Sequence, residues 1–357
     1  MAFSRLLFLI FLISILPAGN SVLPASAASE LKGAGATFPQ PFYEMLFTMY
    51  HRGHAVKVIY EGVGSGEGLR LLATRTVDFA GTDKTKRQET TDAGSGAILN
   101  VPTCVGAVAV VYNVPGNPKL RFTPDVIADI FLGRIKRWSD PRIAAVNRPA
   151  GLPDIPITVV YRVDASGTTF IFSDYLSKTS GEWNDIIGRG TSLKWPAGQG
   201  ARGNPGVAGL VGQIPGSIGY VELVYAIGNK MTFGALRNRS GRFVMPTVKS
   251  VTAAASIDLA SSADYSLTDT AVPNGYPISG FTWIALYREQ NYGGRTREKA
   301  EDLVRLLSYI VHEGQKHAPS LHYAPLPKNV RRNADTLLGK ITHGGVPVYR
   351  YREATKK

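Results

Sequence analysis

Runs of apolar residues alternate with mixed segments along most of this chain and predict alternating strands and helices. Apolar positions within 296–312 recur three and four residues apart, which predicts a helix, and 68–74 and 123–131 predict shorter ones. Five β-branched or apolar runs predict strands: residues 56–60, 77–80, 105–111, 157–161 and 281–287. This alternation favours an α/β fold with mainly parallel sheets. Residues 204–269 show no clear pattern and are expected to hold insertions.

The N-terminal pattern differs from the rest. An almost unbroken apolar run covers residues 6–16. Arg5 is the only charged residue before it, and prolines follow it. Ala25, Ser26 and Ala27 then supply the small residues that signal peptidase recognises. The run is shorter than the roughly 20 residues that span a bilayer, so a retained membrane anchor is the weaker alternative. We therefore predict a signal peptide over residues 1–27.

Cysteine usage and composition narrow the class of protein. Cys104 is the only cysteine, so an internal disulfide is excluded, and its apolar neighbours predict a buried strand residue rather than a nucleophile. An exported chain without disulfides fits the bacterial periplasm.

The 357 residues are enough for two hydrophobic cores. A composition of 44% apolar and 19% charged residues argues against a disordered chain. With 38 glycines and 22 prolines, a coiled coil is excluded.

Three turns share one pattern, in which a strand is followed by small residues and then by a helix. They are the segments 33–39 (GAGATFP), 62–68 (GVGSGEG) and 162–169 (RVDASGTT). Each offers a hydroxyl and free backbone N–H groups at a helix N-terminus, which suits a small anion. One such turn alone is more often a cap or a packing device. Three together favour a shared ligand.

Other kinds of site find little support. The segment 62–68 is neither the dinucleotide fingerprint nor a phosphate-binding P-loop, and Ser65 and Ser166 do not lie in a hydrolase nucleophile motif. The six histidines lie away from the three turns, and no paired cysteines or HExxH motif predicts a metal site. We therefore expect neither a catalytic centre nor a cofactor.

Two charged positions refine the anion hypothesis. Arg162 offers a fork of donors to an oxyanion, and Asp164 could hold it in place. Asp83, which ends the segment 77–83 (VDFAGTD), would repel a bare anion, but its carboxylate can accept a hydrogen bond from a protonated one such as phosphate. Sulfate carries no such proton. The plainer interpretation of Asp83 is a turn or helix-cap residue.

The three turns and the segment 77–83, in this order and spacing, closely resemble the periplasmic phosphate-binding proteins of phosphate ABC transporters. Four further segments extend the likeness over residues 31–345: 131–138 (FLGRIKRW), 192–196 (SLKWP), 216–222 (GSIGYVE) and 323–327 (YAPLP). The resemblance implies a two-lobed, Venus-flytrap α/β fold, each lobe a mainly parallel sheet flanked by helices. It implies one lobe from residues 31–112 and 276–345 and the other from residues 113–275.

The resemblance also implies the function and the ligand set. The chain would receive inorganic phosphate in the cleft and deliver it to membrane permease subunits. Beyond the resemblance, we expect a monomer and no nucleic-acid partner. The implied phosphate ligands are Thr37, Phe38 through its N–H, Ser65, Asp83, Arg162, Ser166, Gly167 through its N–H, and Thr168. In the family the residue at Asp164 orients the arginine. An extracellular phosphate-binding or adhesion protein on the same fold is the alternative, and an exported phosphatase is a weaker one.

Two features depart from the family pattern. Gly66 and Glu67 stand where a second serine and a small residue are usual. The carboxylate of Glu67 could repel phosphate, or it could pair with Arg70 or Lys84 outside the site, which is the outcome we expect.

The formal net charge is +13, or +12 without Arg5, and much of it lies away from the three turns. No aromatic and basic motif for nucleic acid accompanies this charge, so we expect it to attract small anions or an anionic envelope surface. Residues 346–357 form a basic tail beyond the resemblance.

Overall fold

The structure is a computed structural model that describes residues 29–84, 89–92, 96–148, 151–257 and 265–349. The signal peptide predicted at 1–27 lies outside the described residues, as does the basic tail beyond residue 349. In the part of the chain that is described, no helix is both long and apolar enough to cross a membrane.

The strands range from long, buried ones to short pairs at the edges. Their bounds are β1 Ser29–Gly35, β2 Val56–Gly62, β3 Phe79–Thr82, β4 Glu89–Asp92, β5 Gly96–Tyr112, β6 Arg121–Phe122, β7 Thr158–Arg162, β8 Gln199–Ala201, β9 Ser217–Glu222, β10 Thr232–Phe233, β11 Ala235–Arg237, β12 Phe243–Val244, β13 Leu267–Thr268, β14 Ile278–Tyr287, β15 Thr342–His343 and β16 Val346–Pro347.

Helices separate most of these strands along the chain. Their bounds are α1 Gln40–Gly53, α2 Ser65–Ala73, α3 Pro124–Phe131, α4 Pro141–Val146, α5 Gly167–Thr179, α6 Gly181–Ile186, α7 Gly203–Gln213, α8 Leu223–Gly228, α9 Val248–Ala254, α10 Arg297–Val311 and α11 Lys328–Gly339, with a 3₁₀ helix over Glu313–Leu321. Each segment for which the sequence predicts a helix or strand overlaps an element of that type, so these predictions are confirmed.

The main sheet has two parallel ends joined by antiparallel strands. Its order is β2-β1-β3-β14-β5-β9-β7-β8. At one end β1 pairs in parallel with β2 and β3, and at the other β7 pairs in parallel with β8 and β9. We call the end with β1, β2 and β3 the first half and the end with β7, β8 and β9 the second half. The α/β architecture predicted from the sequence is confirmed, with parallel pairing at the two ends of the sheet and antiparallel pairing between them.

One long strand links the two halves. Residues of β5 up to Ala107 pair with β14, whereas those from Val108 onward pair with β9. All its residues from Leu99 to Tyr112 are buried, including Cys104, whose side chain is fully covered as the sequence predicts. At the crossing, the Tyr276 hydroxyl donates to the Val108 carbonyl at 2.9 Å. The linker between the halves is therefore part of the hydrophobic core.

Candidate functional site

The ends of the parallel strands bring the predicted turns to one place. In the first half, β1, β2 and β3 lead into the segments that carry Thr37, Ser65 and Asp83. In the second half, Arg162 ends β7, and Gly167 begins α5. Because parallel strands present their carboxyl ends at the same edge, the loops that follow them cluster there, as ligand sites in α/β folds do. The two clusters face each other across the junction of the halves.

Hydrogen bonds join the two halves directly at this point. The Gly167 N–H donates to Ser65 Oγ at 3.1 Å, and the Asp83 N–H lies 3.4 Å from the same oxygen. Next to them, the Gly66 N–H donates to the Ala165 carbonyl at 2.9 Å. Ser65 and Asp83 are both nearly inaccessible to solvent. The residues that the sequence placed on separate turns are thus within contact of each other.

Two glycines are required by the close approach of the halves. A Cβ at Gly167 would lie 2.4 Å from Asp83 Oδ2 and 2.5 Å from Ser65 Oγ, well inside van der Waals contact. Gly64 has a φ of +93°, and a Cβ there would lie 2.5 Å from Asp164 Oδ2. Any side chain at these positions would push the halves apart. The glycines of the second and third turns therefore set how closely the site can close.

The guanidinium of Arg162 is buried and held by Asp164. Arg162 Nε donates to Asp164 Oδ1 at 2.7 Å, and Nη2 donates to Oδ2. Asp164 also accepts from the Gly203 N–H at 3.1 Å. Burial by itself raises the pKa of Asp164, but the bonds from Arg162 outweigh it and hold that pKa below its usual value. This bidentate pair leaves the Nη1 side of the guanidinium turned toward Thr168 at 3.5 Å.

Asp83 adds a second carboxylate to the cluster, next to the donors of Ser65 and Gly167. Its Oδ1 accepts from the Thr282 hydroxyl at 2.7 Å, while its buried Oδ2 makes no hydrogen bond to any residue that the structure describes. Burial raises the pKa of Asp83 to about 7, and the Thr282 hydroxyl and the Arg162 charge lower it only in part. The site thus contains a buried oxygen whose hydrogen-bonding capacity is unused and whose carboxyl titrates near neutral pH.

The two remaining predicted residues contribute in different ways. Ser166 is the N-cap of α5, where its Oγ accepts from the Thr169 N–H at 3.1 Å, and its hydroxyl hydrogen is left to donate to another partner. The 13-residue helix α5 directs the positive end of its dipole at the cluster. The Phe38 ring is fully buried against Tyr323, whose hydroxyl donates to the Phe38 carbonyl at 2.6 Å. Only the backbone of Phe38 is therefore available to a ligand.

Sequence reasoning missed two residues that contact Thr37 from the second half. Asn204 donates to Thr37 Oγ1 from both its N–H and its Nδ2, at 3.1 and 2.9 Å. The Tyr225 hydroxyl donates to the Thr37 carbonyl at 2.6 Å. The sequence carries a signal for Asn204, because Gly203 and Pro205 flank it in the first turn of α7, just after β8, in the same strand–glycine–helix pattern as the other turns. A tyrosine within a helix carries no such signal.

Two charged residues at the border of the site find partners outside it. Glu67 accepts from Arg70 Nε at 2.8 Å and from Nη2 at 2.6 Å on the exposed surface of α2, which confirms one of the two pairings expected for it. Lys84, next to Asp83, places its Nζ 5.6 Å from the centre of the Phe170 ring in α5. This cation–π contact is a further link between the halves.

The donor set defines the chemistry that the site can support. It combines hydroxyls, backbone N–H groups, a helix N-terminus and one guanidinium with the orphaned Oδ2 of Asp83. Such a set fits a small oxyanion that carries a proton, because every oxygen of the anion can accept and its one hydrogen can be donated. Among the described residues, no group of three or more His, Cys, Asp and Glu side chains could hold a metal ion.

Comparisons with known proteins identify the group to which these features belong. A model described as PBP superfamily domain matches residues 21–313. The phosphate-binding protein PstS of Xylella fastidiosa (strain 9a5c) is 42% identical over 324 residues, covering 87% of this chain and 86% of that protein. The PstS of Pasteurella multocida is 38% identical over 308 residues, covering 85% and 88%. A periplasmic phosphate-binding protein, PfluDING bound with phosphate, shares the two-lobed fold at a TM-score of 0.67 and 20% identity, covering 86% and 93%.

Proposed function

This chain belongs to the PstS family of phosphate-binding proteins, and we propose that it is an exported receptor that binds inorganic phosphate between two lobes and delivers it to the permease of an ABC transporter. The observation that carries this proposal is the orphaned Asp83 Oδ2 within a shell of donors. Phosphate near neutral pH has four oxygens that accept and at least one hydrogen to donate, which matches this set. Sulfate lacks the hydrogen.

The proposed ligands are the residues that the resemblance implies and that lie at the junction of the halves. They are Thr37, Phe38 through its N–H, Ser65, Asp83, Arg162, Ser166, Gly167 through its N–H, and Thr168. Asp164 orients the Arg162 guanidinium through their bidentate pair. Because donors come from both halves, bound phosphate stabilises the closed arrangement over an open one.

The proposed lobes comprise residues 31–112 with 276–345 and residues 113–275. Strand β5 links the two, since its residues up to Ala107 pair with β14 of the first lobe and those from Val108 onward pair with β9 of the second. Closure then brings the donors of Arg162 and Gly167 onto the side that carries Thr37, Ser65 and Asp83. In this arrangement the ligand is enclosed rather than bound on a surface.

A single proton between Asp83 and the anion satisfies both partners. The pKa of Asp83 is raised to about 7 by burial, close to the second ionisation of phosphate. Whichever partner carries the proton donates it to the other, so Oδ2 gains the bond that it lacks within the protein. An anion without a proton meets an opposing charge whenever the Asp83 carboxyl is ionised, and it gains a hydrogen bond at Oδ2 only from the protonated carboxyl.

The remaining parts of the proposal concern what the protein does not do and where it acts. Its relatives carry the name of binding proteins, which supports binding without catalysis. We infer a monomer in the periplasm, released after cleavage of residues 1–27, with no role for nucleic acid. The excess of basic residues, which attracts small anions, is consistent with this assignment.

Calorimetric titration tests the proposal. The purified mature chain is expected to bind inorganic phosphate with 1:1 stoichiometry and to bind sulfate far more weakly, with arsenate as a competitor of similar shape and protonation. Equal affinity for phosphate and sulfate would overturn the assignment. Release of phosphate from a generic phosphoester at enzymatic rates would instead favour the phosphatase alternative.

A further inference from the structure

Asn204 occupies a central position among the hydroxyl groups of the site. It is the second residue of α7 and is fully buried. Its N–H and Nδ2 donate to Thr37 Oγ1 in the first half at 3.1 and 2.9 Å, and Nδ2 also donates to Thr168 Oγ1 in the second half at 3.2 Å. One side-chain amide thus contacts a threonine from each half.

The orientation of this amide is fixed by a backbone group. The N–H of Glu222, at the end of β9, donates to Asn204 Oδ1 at 2.9 Å. Turning the amide over would place Nδ2 against that N–H, with a donor facing a donor, and would turn Oδ1 toward the threonines. Nδ2 therefore faces the two hydroxyls, and Asn204 can only donate to them.

The directions of the threonine hydrogens follow from the capacity of a hydroxyl, which accepts two hydrogen bonds and donates one. Both acceptor positions of Thr37 Oγ1 are filled by Asn204. Those of Thr168 Oγ1 are filled by Asn204 Nδ2 and by Arg162 Nη1, the latter at 3.5 Å. What each hydroxyl has left is its hydrogen. Each must therefore act as a donor toward a further group.

We propose that Asn204 is a positioning residue for anion recognition, which fixes the hydroxyls of Thr37 and Thr168 as donors toward the bound phosphate. This role rests on the proposed function, because it assumes that the group receiving those hydrogens is phosphate. Ser65 illustrates the same arrangement with backbone donors, since its Oγ faces the N–H groups of Gly167 and Asp83. Hydroxyls that are already oriented lose little freedom when the anion binds.

The substitution Asn204→Asp tests the direction of the hydrogens. Aspartate has the same shape and still accepts from the Glu222 N–H, but it replaces Nδ2 with an acceptor to which the threonine hydroxyls would turn. The affinity for inorganic phosphate in calorimetry is expected to fall by about 100-fold or more, because two bonds to a charged ligand are lost. Circular dichroism and thermal unfolding establish that the variant is folded.

A double-mutant cycle separates this mechanism from the added negative charge. In a Thr37→Val, Thr168→Val background the hydroxyls are absent, so adding Asn204→Asp is expected to cost less than one tenth of its effect in the natural background. An equal fold-loss in both backgrounds would overturn the proposal, because it would assign the effect to charge alone. The Thr37→Ser, Thr168→Ser variant keeps both hydroxyls and is expected to retain the full Asn204→Asp penalty.

The cycle stays informative if a variant misfolds, and it is distinct from a test of phosphate binding itself. If Asn204→Asp does not fold, Asn204→Ala replaces it in the same cycle, with an expected loss of about 10-fold in the natural background and almost none in the valine background. An undiminished loss there overturns the proposal as well. Failure of the unaltered chain to bind phosphate would refute the proposed function itself, a result distinct from any outcome of the cycle.

Discussion

Gly167 lies directly against Asp83, although 84 positions separate them in the sequence and they belong to different halves of the sheet. A Cβ built on Gly167 would be 2.4 Å from Asp83 Oδ2. The first residue of helix α5 and the orphaned carboxylate oxygen therefore meet with no room for a methyl group. This contact makes the closeness of the halves sensitive to a single substitution.

Gly167→Ala is expected to weaken phosphate binding by about 10- to 100-fold, since an added methyl group in a packed contact costs roughly 1–3 kcal/mol. Alanine suits the first turn of a helix, so the melting temperature of the phosphate-free protein should change little. Gly209→Ala is the matched control, because it lies in α7 and no atom beyond that helix's own backbone comes within 4 Å of the added Cβ. Calorimetry showing equal losses for both variants would contradict the steric explanation.

Asp83→Asn is expected to reduce discrimination between phosphate and sulfate. The amide removes the charge that opposes an unprotonated anion and places a donor where Oδ2 lies, so sulfate should gain affinity relative to phosphate by about 10-fold or more. Asp140→Asn provides the control, since Asp140 caps α4 away from the cleft and asparagine caps equally well. If the ratio of the two affinities in competition calorimetry is unchanged in Asp83→Asn, the proton-dependent explanation of selectivity is wrong.

The same residue predicts a pH dependence of stability. Burial raises the pKa of Asp83 to about 7 from an ordinary value of 3.8, so the folded protein holds this proton where the unfolded chain releases it. Its contribution to the free energy of unfolding is complete below about pH 4 and is lost as the pH rises through 7. Urea unfolding at pH 5 and pH 8, without phosphate, should show a loss of stability that is smaller in Asp83→Asn. An identical loss in both proteins would exclude Asp83 as its source.

Tyr225→Phe is expected to weaken phosphate binding by about 3- to 10-fold, the effect of one neutral hydrogen bond. The lost bond, from the Tyr225 hydroxyl to the Thr37 carbonyl, joins the halves and polarises the peptide group whose N–H belongs to Phe38. Tyr112→Phe removes a similar bond to the Pro118 carbonyl at 2.7 Å and one that the hydroxyl accepts from the Leu120 N–H at 2.8 Å, both local to the chain. The control should lose stability but keep its phosphate affinity. Weaker binding in the control alone would contradict this assignment.

The sequence predicts the fold class and the convergence of three turns because those features depend on local patterns. The sequence predicts helix α2 from residue 68, whereas the helix begins at Ser65. The pattern misses the first turn because that turn contains Gly66 and Gly68, and glycine is a poor helix former. The structure supplies the reason for both glycines. A Cβ at Gly66 would lie 2.3 Å from the Ala165 Cβ, and one at Gly68 would lie 2.4 Å from the Gly35 Cα.

Strand β5 is longer than its pattern indicates. The prediction covered residues 105–111, whereas the strand begins at Gly96 and contains Pro102, which cannot donate to a ladder. The pairing with β14 shifts register between Thr282 and Trp283, next to this proline, and so accommodates it. Only the partner strand reveals that accommodation. Long-range contacts of this kind, like those of Asn204 and Tyr225 with Thr37, leave no periodic trace in a single sequence.

Cys104 is the only cysteine of the chain, so its thiol can report local opening of the folded protein. It is fully covered within β5, three residues before the point where that strand changes partners at Ala107. A thiol reagent can reach it only during rare openings of the strand that joins the halves. The rate of thiol labelling therefore measures how often β5 opens, without any engineered residue. An anion that binds only the closed protein should slow this rate in proportion to saturation.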